Sequence, residues 1–254
     1  MRLAERTTGM DSAPDVFMAV SNATAAVVSH VPAYLTYRAH TIVHAVGGDQ
    51  PMDRTVTVRT DDGMALVRNE ETGKDELRPA FPAPPTFDAL SKFKLHAVIT
   101  LQMGGRTHRT GDMSVTNIEP LHYESSPSHA DAVAHAVKGY VVTFAPDASA
   151  PAGHLHLERN AAFKGDSWLR DVWYDPATML PTRVVWGGPN DFVLDARYRT
   201  AEGAWVLESI SAEAVMHLPL WMGRSALALR SSYSDYAFSA TPPDPRLAPD
   251  ANSR

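Results

Sequence analysis

Between residues 167 and 240, apolar and polar side chains alternate in runs separated by turn-forming residues. Period-two alternation broken by turn chemistry predicts an antiparallel sheet with one dry face. The run 167–174 passes through Asp175-Pro176-Ala177-Thr178-Met179-Leu180-Pro181 and returns as 182–187. Phe192, Leu194, Ala196 and Tyr198 alternate with Val193, Asp195, Arg197 and Arg199. After the turn Ala201-Glu202-Gly203, Val206, Ile210, Ala212, Ala214 and Met216 share one parity, with Glu208 as a polar intruder. These two runs are expected to pair and to turn one face inward.

Upstream the pattern first has the period of a helix. Ser12-Ala13-Pro14-Asp15 predicts a capped start, with Ser12 as N-cap and Pro14 in the first turn. Val16, Phe17, Val20, Ala23, Val27 and Val28 then fall on one side, and the helix should end near His30-Val31-Pro32. Strands are expected at 33–46, 52–60 and 64–69, the last two joined through Asp61-Asp62-Gly63. Four prolines in 78–85 exclude an interior strand there. A short helix is expected at 86–93, then a strand to Met103, a polar loop from Gly104-Gly105 to Asp112, and a strand at 113–118. Ser128-His129-Ala130-Asp131 starts a second helix that closes at Lys138-Gly139. Strands follow at 140–145, 153–159, 167–174, 182–187, 191–199, 204–218 and 226–238. Residues 1–11 and 241–254 read as loose tails.

The expected architecture is therefore mainly β (α+β), as one domain over 12–240. It is a single curved antiparallel sheet, or unclosed barrel, of about eleven strands with an N-terminal amphipathic helix and short capping helices. The 254 residues are 44% hydrophobic and 20% charged, enough apolar material for a sizeable core. A net charge of −6 with no basic stripe argues against nucleic acid as a partner. With no cysteine, disulfides, thiolate zinc sites and Cys nucleophiles are excluded. No stretch approaches the roughly 20 apolar residues of a spanning helix. The first residues lack the apolar core of a signal peptide, so a periplasmic or extracytoplasmic location is expected only if a signal was removed.

Candidate chemistry is sparse. On a strand, His154, His156 and Glu158 of His154-Leu155-His156-Leu157-Glu158 face one way, as zinc or iron ligands would. The plainer reading puts Leu155 and Leu157 in the core and the polar three in water, since no partner cluster stands at a suitable spacing; no metal is assigned. His40 and His44 share a strand face with Arg38 but lack an assignable carboxylate. His129 and His135 are poorly spaced for one helix face. There is no Gly-x-Ser-x-Gly elbow, Gly104-Gly105 and Gly187-Gly188 read as turns, and Asp61-Asp62 and Glu70-Glu71 read as solvated acids. No catalytic residue and no cofactor is nominated, and the protein is not expected to be an enzyme. Two apolar loops remain, Leu218-Pro219-Leu220-Trp221-Met222-Gly223 and the segment from Phe81 to Phe87. They either plug the ends of the sheet or form the mouth of an apolar site.

Three segments together resemble a known family. They are Tyr34-Leu35-Thr36-Tyr37-Arg38-Ala39-His40, Trp173-Tyr174-Asp175-Pro176-Ala177-Thr178-Met179-Leu180-Pro181-Thr182-Arg183, and Tyr233-Ser234-Asp235-Tyr236-Ala237-Phe238-Ser239. With the leading helix, they resemble the outer-membrane lipoprotein-sorting (LolA/LolB-type carrier) superfamily, over 14–240 in outline and 167–240 in detail. The Trp/Arg-Pro pattern that carriers show after their second strand is absent; this chain has Asp61-Asp62-Gly63-Met64-Ala65-Leu66-Val67-Arg68-Asn69 there. The resemblance implies an unclosed barrel capped by helices around an apolar cavity for acyl chains, with Arg38 where carriers tie the first long strand to the lid.

The expected function is non-enzymatic binding or carriage of a lipid-like or lipoprotein ligand on the concave face of the sheet. The expected ligand-binding residues are Arg38, Phe87, Phe192, Leu194, Tyr198, Val206, Ile210, Met216 and Trp221. Expected partners are a lipid or an acylated protein, with transient contact with a membrane surface and no nucleic acid. The alternatives are a structural or protein-interaction module with a filled core and, as a third, a His-based metal-dependent enzyme.

Overall fold

The computed structural model describes residues 12–28, 31–45, 48–61, 63–79, 99–103, 106–111, 138–145, 153–163, 168–188, 191–217 and 224–248. The capped start forms helix α1 (Ala13–Val28). The Ser12 hydroxyl donates to the Asp15 carboxylate, and the Asp15 backbone N–H returns to Ser12 Oγ at 3.4 Å. This satisfies one of the donors that a helix start leaves open. Ala13, Val16, Phe17 and Val20 are buried and belong to the same core cluster as the sheet.

Strands follow in chain order. They are β1 (Tyr34–Ala45), β2 (Gly48–Arg59), β3 (Met64–Asn69), β4 (Asp75–Pro79), β5 (Ile99–Met103) and β6 (Arg106–Gly111). After them come β7 (Tyr140–Phe144), β8 (Gly153–Arg159), β9 (Trp168–Tyr174), β10 (Pro181–Gly187), β11 (Val193–Ala201), β12 (Ala204–His217) and β13 (Arg224–Ser239). Among the described residues eleven of these form one antiparallel sheet in the order β4-β3-β2-β1-β13-β12-β11-β10-β9-β8-β7, while β5 and β6 pair separately. The sheet is not closed, since its edges are β4 and β7. It consists of two meanders, one running from β1 outward to β4 and the other from β7 inward to β13. They are joined where the first strand pairs with the last.

Alternation assigns each residue to a face. Leu35, Tyr37 and Ala39 on β1 lie opposite Val58, Val56 and Arg54 on β2, and Leu194 and Ala196 on β11 lie opposite Ala212 and Ile210 on β12. Directly paired residues share a face. The apolar face thus carries Leu35, Val58, Ala65, Leu155, Val172, Val184, Trp186 and Leu194, each at most 2% exposed. The outer face carries His40, Asp53, His154, His156, Asp171, Trp173, Arg183 and Asp195 by the same pairing.

Register shifts interrupt the main sheet at several places, two of them between β9 and β10, and two others bear on the site. The β11–β12 register shifts between Arg197 and Tyr198, so that Leu207 pairs with Tyr198 while Ser209 pairs with Arg197. Glu208 is the extra residue and is exposed. It does not intrude into the apolar face, because the bulge lets the strand turn it outward. The second bulge lies at Asp235 on β13, where the backbone enters the left-handed region at φ 54°.

Several boundaries differ from the sequence reading for local reasons. β2 starts at Gly48 and includes Pro51, which lies beyond the end of β3, where no second neighbour needs its missing donor. β4 ends at Pro79 and is an edge strand, as the proline-rich sequence demands. The polar stretch after Gly105 is strand β6, paired with β5, and not a loop. In place of a loose tail from residue 241, Pro245–Leu247 forms a 3₁₀ turn capped by Asp244. There Leu247 is buried, its carbonyl accepts from Arg59 at 3.1 Å, and Arg246 reaches Asp75 at 2.7 Å. The expected elements at 86–93, 113–118 and 128–137 lie outside the described residues.

The β11–β12 connection is a two-residue turn in which Glu202 and Gly203 both have positive φ, 51° and 82°. That is the twist-matched geometry in which Asn-Gly is preferred. Glu202→Asn should stabilise the protein by about 0.5 kcal/mol in urea denaturation, because Asn tolerates the left-handed region better than Glu. Gly203→Ala should destabilise it.

Candidate functional site

The apolar face holds an aromatic cluster at the junction of the two meanders. Tyr37 on β1 contacts Tyr233 edge-on at 5.7 Å and lies 5.6 Å from Tyr236, both on β13. The Asp235 bulge makes this possible: it places Tyr236 beside Tyr37 and leaves Asp235 on the other side, 3.5 Å from Arg38. Tyr236 donates to the Leu207 carbonyl, and Tyr198 stacks on Trp205 at 4.4 Å, whose indole N–H donates to the Pro181 carbonyl at 2.8 Å. Burial raises the ionisation of Tyr37, Tyr198 and Tyr236 well above the ordinary phenol value, and pushes that of Tyr233 up to about 12. Each phenol therefore stays neutral under ordinary conditions.

Two arginines share this face. Arg54 pairs with Ala39 on one side and Asn69 on the other; Arg78 pairs with Ala65. Between them, Glu76 pairs with Val67. Burial, then the like charge of Arg78, holds Arg54 below the usual guanidinium range, while Glu76 acts in the opposite sense. Arg54 meets Met52 Sδ at 3.3 Å, and among the described residues it has no carboxylate at ion-pair distance. Arg78 Nε is buried without a hydrogen-bond partner, with Glu76 at 3.6 Å.

The structure distributes the nine expected ligand residues unevenly. Phe192, Leu194, Tyr198 and Ile210 come together in the core cluster, each at most 9% exposed. Val206 is 1% exposed and belongs to the same cluster, although in the ladder it pairs with Arg199 and so falls out of step with Ile210. The reason is the Glu208 bulge, which breaks the shared parity read from the sequence. Arg38 stands on the outer face, 69% exposed, apart from the others. Met216 lies on β12 opposite Ser225, and nothing is described of its side chain. Phe87 and Trp221, with both apolar loops, lie outside the described residues.

The described His–Asp pairs and the Arg183–Asp195 pair stand on the outer face. His154 Nε2 and His156 Nδ1 share Asp171 Oδ1 at 3.1 and 2.8 Å. His154 stacks on Trp173 at 4.1 Å, Arg183 lies 4.4 Å over the same indole, and Arg183 makes a bidentate pair with Asp195. The result is a ladder from β8 to β11 that ties neighbouring strands. His40 and His44 likewise find Asp53 and Asp49, their cross-strand partners on β2. Among the described residues, no group of three or more such side chains could hold a metal ion. A shallow depression of about 330 Å³ lies on this face, lined by His40, Arg197, Arg230, Ser209, Ser211 and Ser232 among others.

Sequence reasoning missed Asp171, Asp53 and Asp49, because cross-strand partners depend on register. It also missed Arg54 and Arg78. For Arg54 the signal was present, since Arg54, Val56 and Val58 share one parity.

No family model matches the sequence, and no curated protein matches it. In structure, the chain is similar to a DUF1329 family protein from Desulfovibrio piger, at TM-score 0.49 and 10% identity, covering 91% of this chain and 95% of that one. It is also similar to a LolA superfamily protein from Nitrosomonas europaea, at TM-score 0.38 and 11% identity, with coverages of 91% and 95%. A third similar structure is an outer membrane lipoprotein-sorting protein domain from Vibrio parahaemolyticus, at TM-score 0.37 and 12% identity, with coverages of 87% and 93%.

Two outcomes test this geometry. Phenols with raised ionisation contribute stability that is complete below the free value near 10 and is lost as pH rises through the folded value. The protein should therefore lose stability between about pH 10 and the value of about 12 for Tyr233. Circular dichroism followed alongside tyrosinate absorbance should show ionisation and unfolding together. Asp171→Ala should cost about 1–3 kcal/mol in chemical denaturation, because it leaves the largely buried His154 without its carboxylate.

Proposed function

We propose that this protein binds and carries a lipid-like or acylated ligand on the apolar face of its open sheet, without catalysing a reaction, in an extracytoplasmic compartment. The observation that supports this most is segregation. Aliphatic and aromatic side chains occupy one face across both meanders, while the described His–Asp and Arg–Asp chemistry stands on the other. An unclosed sheet leaves that apolar face to be covered by a helix, by a loop or by a ligand. Here α1 belongs to the cover. Acyl chains that replaced part of it would gain about 0.8 kcal/mol for each CH₂ taken from water. The Lol-type resemblance of the Asp175–Pro181 hairpin and of the first and last strands points the same way. In this reading Phe192, Leu194, Tyr198 and Ile210 form the floor of the site, and Phe87, Met216 and Trp221 belong to its ends.

One observation favours a second reading, an interaction module with a filled core. The floor residues are packed into one cluster with α1 and are almost fully buried. The two readings part on a single experiment, native mass spectrometry of the purified protein before and after incubation with palmitate. Carriage predicts a co-purified or exchangeable adduct of lipid mass. A protein that carries none and takes up none contradicts carriage and leaves the filled-core module.

A further inference from the structure

The arginines of the apolar face are hard to explain as core. In the register of β1 to β4, the rows Tyr37–Val56–Val67–Glu76 and Leu35–Val58–Ala65–Arg78 run from buried apolar residues outward to a charged edge. Arg54 occupies the next row with Ala39 and Asn69. Val56, Val58, Ala65 and Val67 are at most 5% exposed, so the two guanidinium groups border a dry surface. Among the described residues, Glu76 alone opposes them on this face. Among the described residues, two cations against one carboxylate leave an excess positive charge beside apolar wall, with Arg78 Nε held by the 3.6 Å ion pair to Glu76 and by no hydrogen bond. Both arginines are only partly withdrawn from water, and a second anion at this edge would offset the desolvation and like-charge repulsion that act on Arg54. Guanidinium groups suit planar or tetrahedral oxyanions through paired N–H donors.

We infer that Arg54 and Arg78 form the head-group subsite of the apolar face, so that the preferred ligand is an amphiphile with an acyl chain and an anionic carboxylate or phosphate head. This rests on the carrier reading and adds a chemical class to it. The chain lies along Val56, Tyr37 and the wall beyond, and the head stops at the edge formed by β2 and β4. Glu76 is then the competitor that the head group displaces from Arg78, and Tyr37, whose phenol lies within the electrostatic reach of Arg78, stands beside the head.

Displacement of a bound fluorescent probe by palmitate, hexadecyl phosphate and hexadecanol separates the possibilities. The inference expects at least one anionic ligand to bind about tenfold tighter than hexadecanol, the range of a charge-assisted hydrogen bond. The preferred anion identifies the head as carboxylate or phosphate. Arg54→Gln and Arg78→Gln should bring that preference to within about twofold while hexadecanol affinity stays unchanged, which also reports that the variants fold. Glu76→Gln should increase the preference. If the wild-type protein binds all three ligands equally, or if both arginine variants keep the preference, the subsite is overturned and carriage stands. If it binds none of them, carriage and subsite fall together.

Discussion

The pairing of β1 with β13 holds the architecture together. Every other neighbour in the main sheet is joined to the next strand of its own meander, but this seam brings together residues such as Thr41 and Ser231, which are 190 apart in sequence and hydrogen-bond at 2.9 Å. Loop-closure entropy opposes so distant a contact, though it grows only with the logarithm of the separation. The seam offsets that cost with a long ladder from Tyr34–Ser239 to His44–Ala228 and with the Tyr37, Tyr233 and Tyr236 cluster at its bulge. A fold closed by its first and last long strands belongs to the slow, non-local class. It also places both chain ends of the sheet next to the aromatic centre of the apolar face.

From that seam the two faces diverge in chemistry. On the outer face, pairing sets His154 and His156 beside Asp171, and Arg183 beside Asp195, so that polar side chains satisfy one another across strands. On the apolar face, among the described residues, Arg54 and Arg78 have Glu76 as their one nearby carboxylate, and they stand out for that reason. The same side-chain type is fully paired at Arg183 on one face and shares a single carboxylate, among the described residues, on the other. Segregation of this kind is what a surface built to receive apolar matter requires, and the arginine edge is where such matter would carry its polar end.

Much of the fold was legible because alternation is a local signal. The helix start at Ser12, the long first strand, and the strands from Tyr140 to the end follow from spacing and turn chemistry alone. Strand β6 was hidden because Arg106 to Thr110 is polar and the pair it forms stands apart from the main sheet. The 3₁₀ turn at Pro245–Leu247 was hidden in a proline-rich tail, where the single apolar anchor, Leu247, is the only cue. The site was less legible than the fold. Val206 joins the core cluster, but the bulge at Glu208 that shifts its ladder partner to Arg199 cannot be read from parity; Arg38 stands on the exposed side of β1. Cross-strand partners such as Asp171 depend on register, which alternation leaves undetermined.

The central claim is that the apolar face receives acyl chains, and tryptophan quenching reports on it by position. Trp186 lies on the apolar face opposite Leu194, whereas Trp173 lies on the outer face under Arg183. Titration of the purified protein with a brominated fatty acid should quench tryptophan emission in a saturable way. The quenching should survive Trp173→Phe and weaken in Trp186→Phe. An absence of saturable quenching, or quenching that disappears with Trp173 and is untouched by loss of Trp186, would contradict the account.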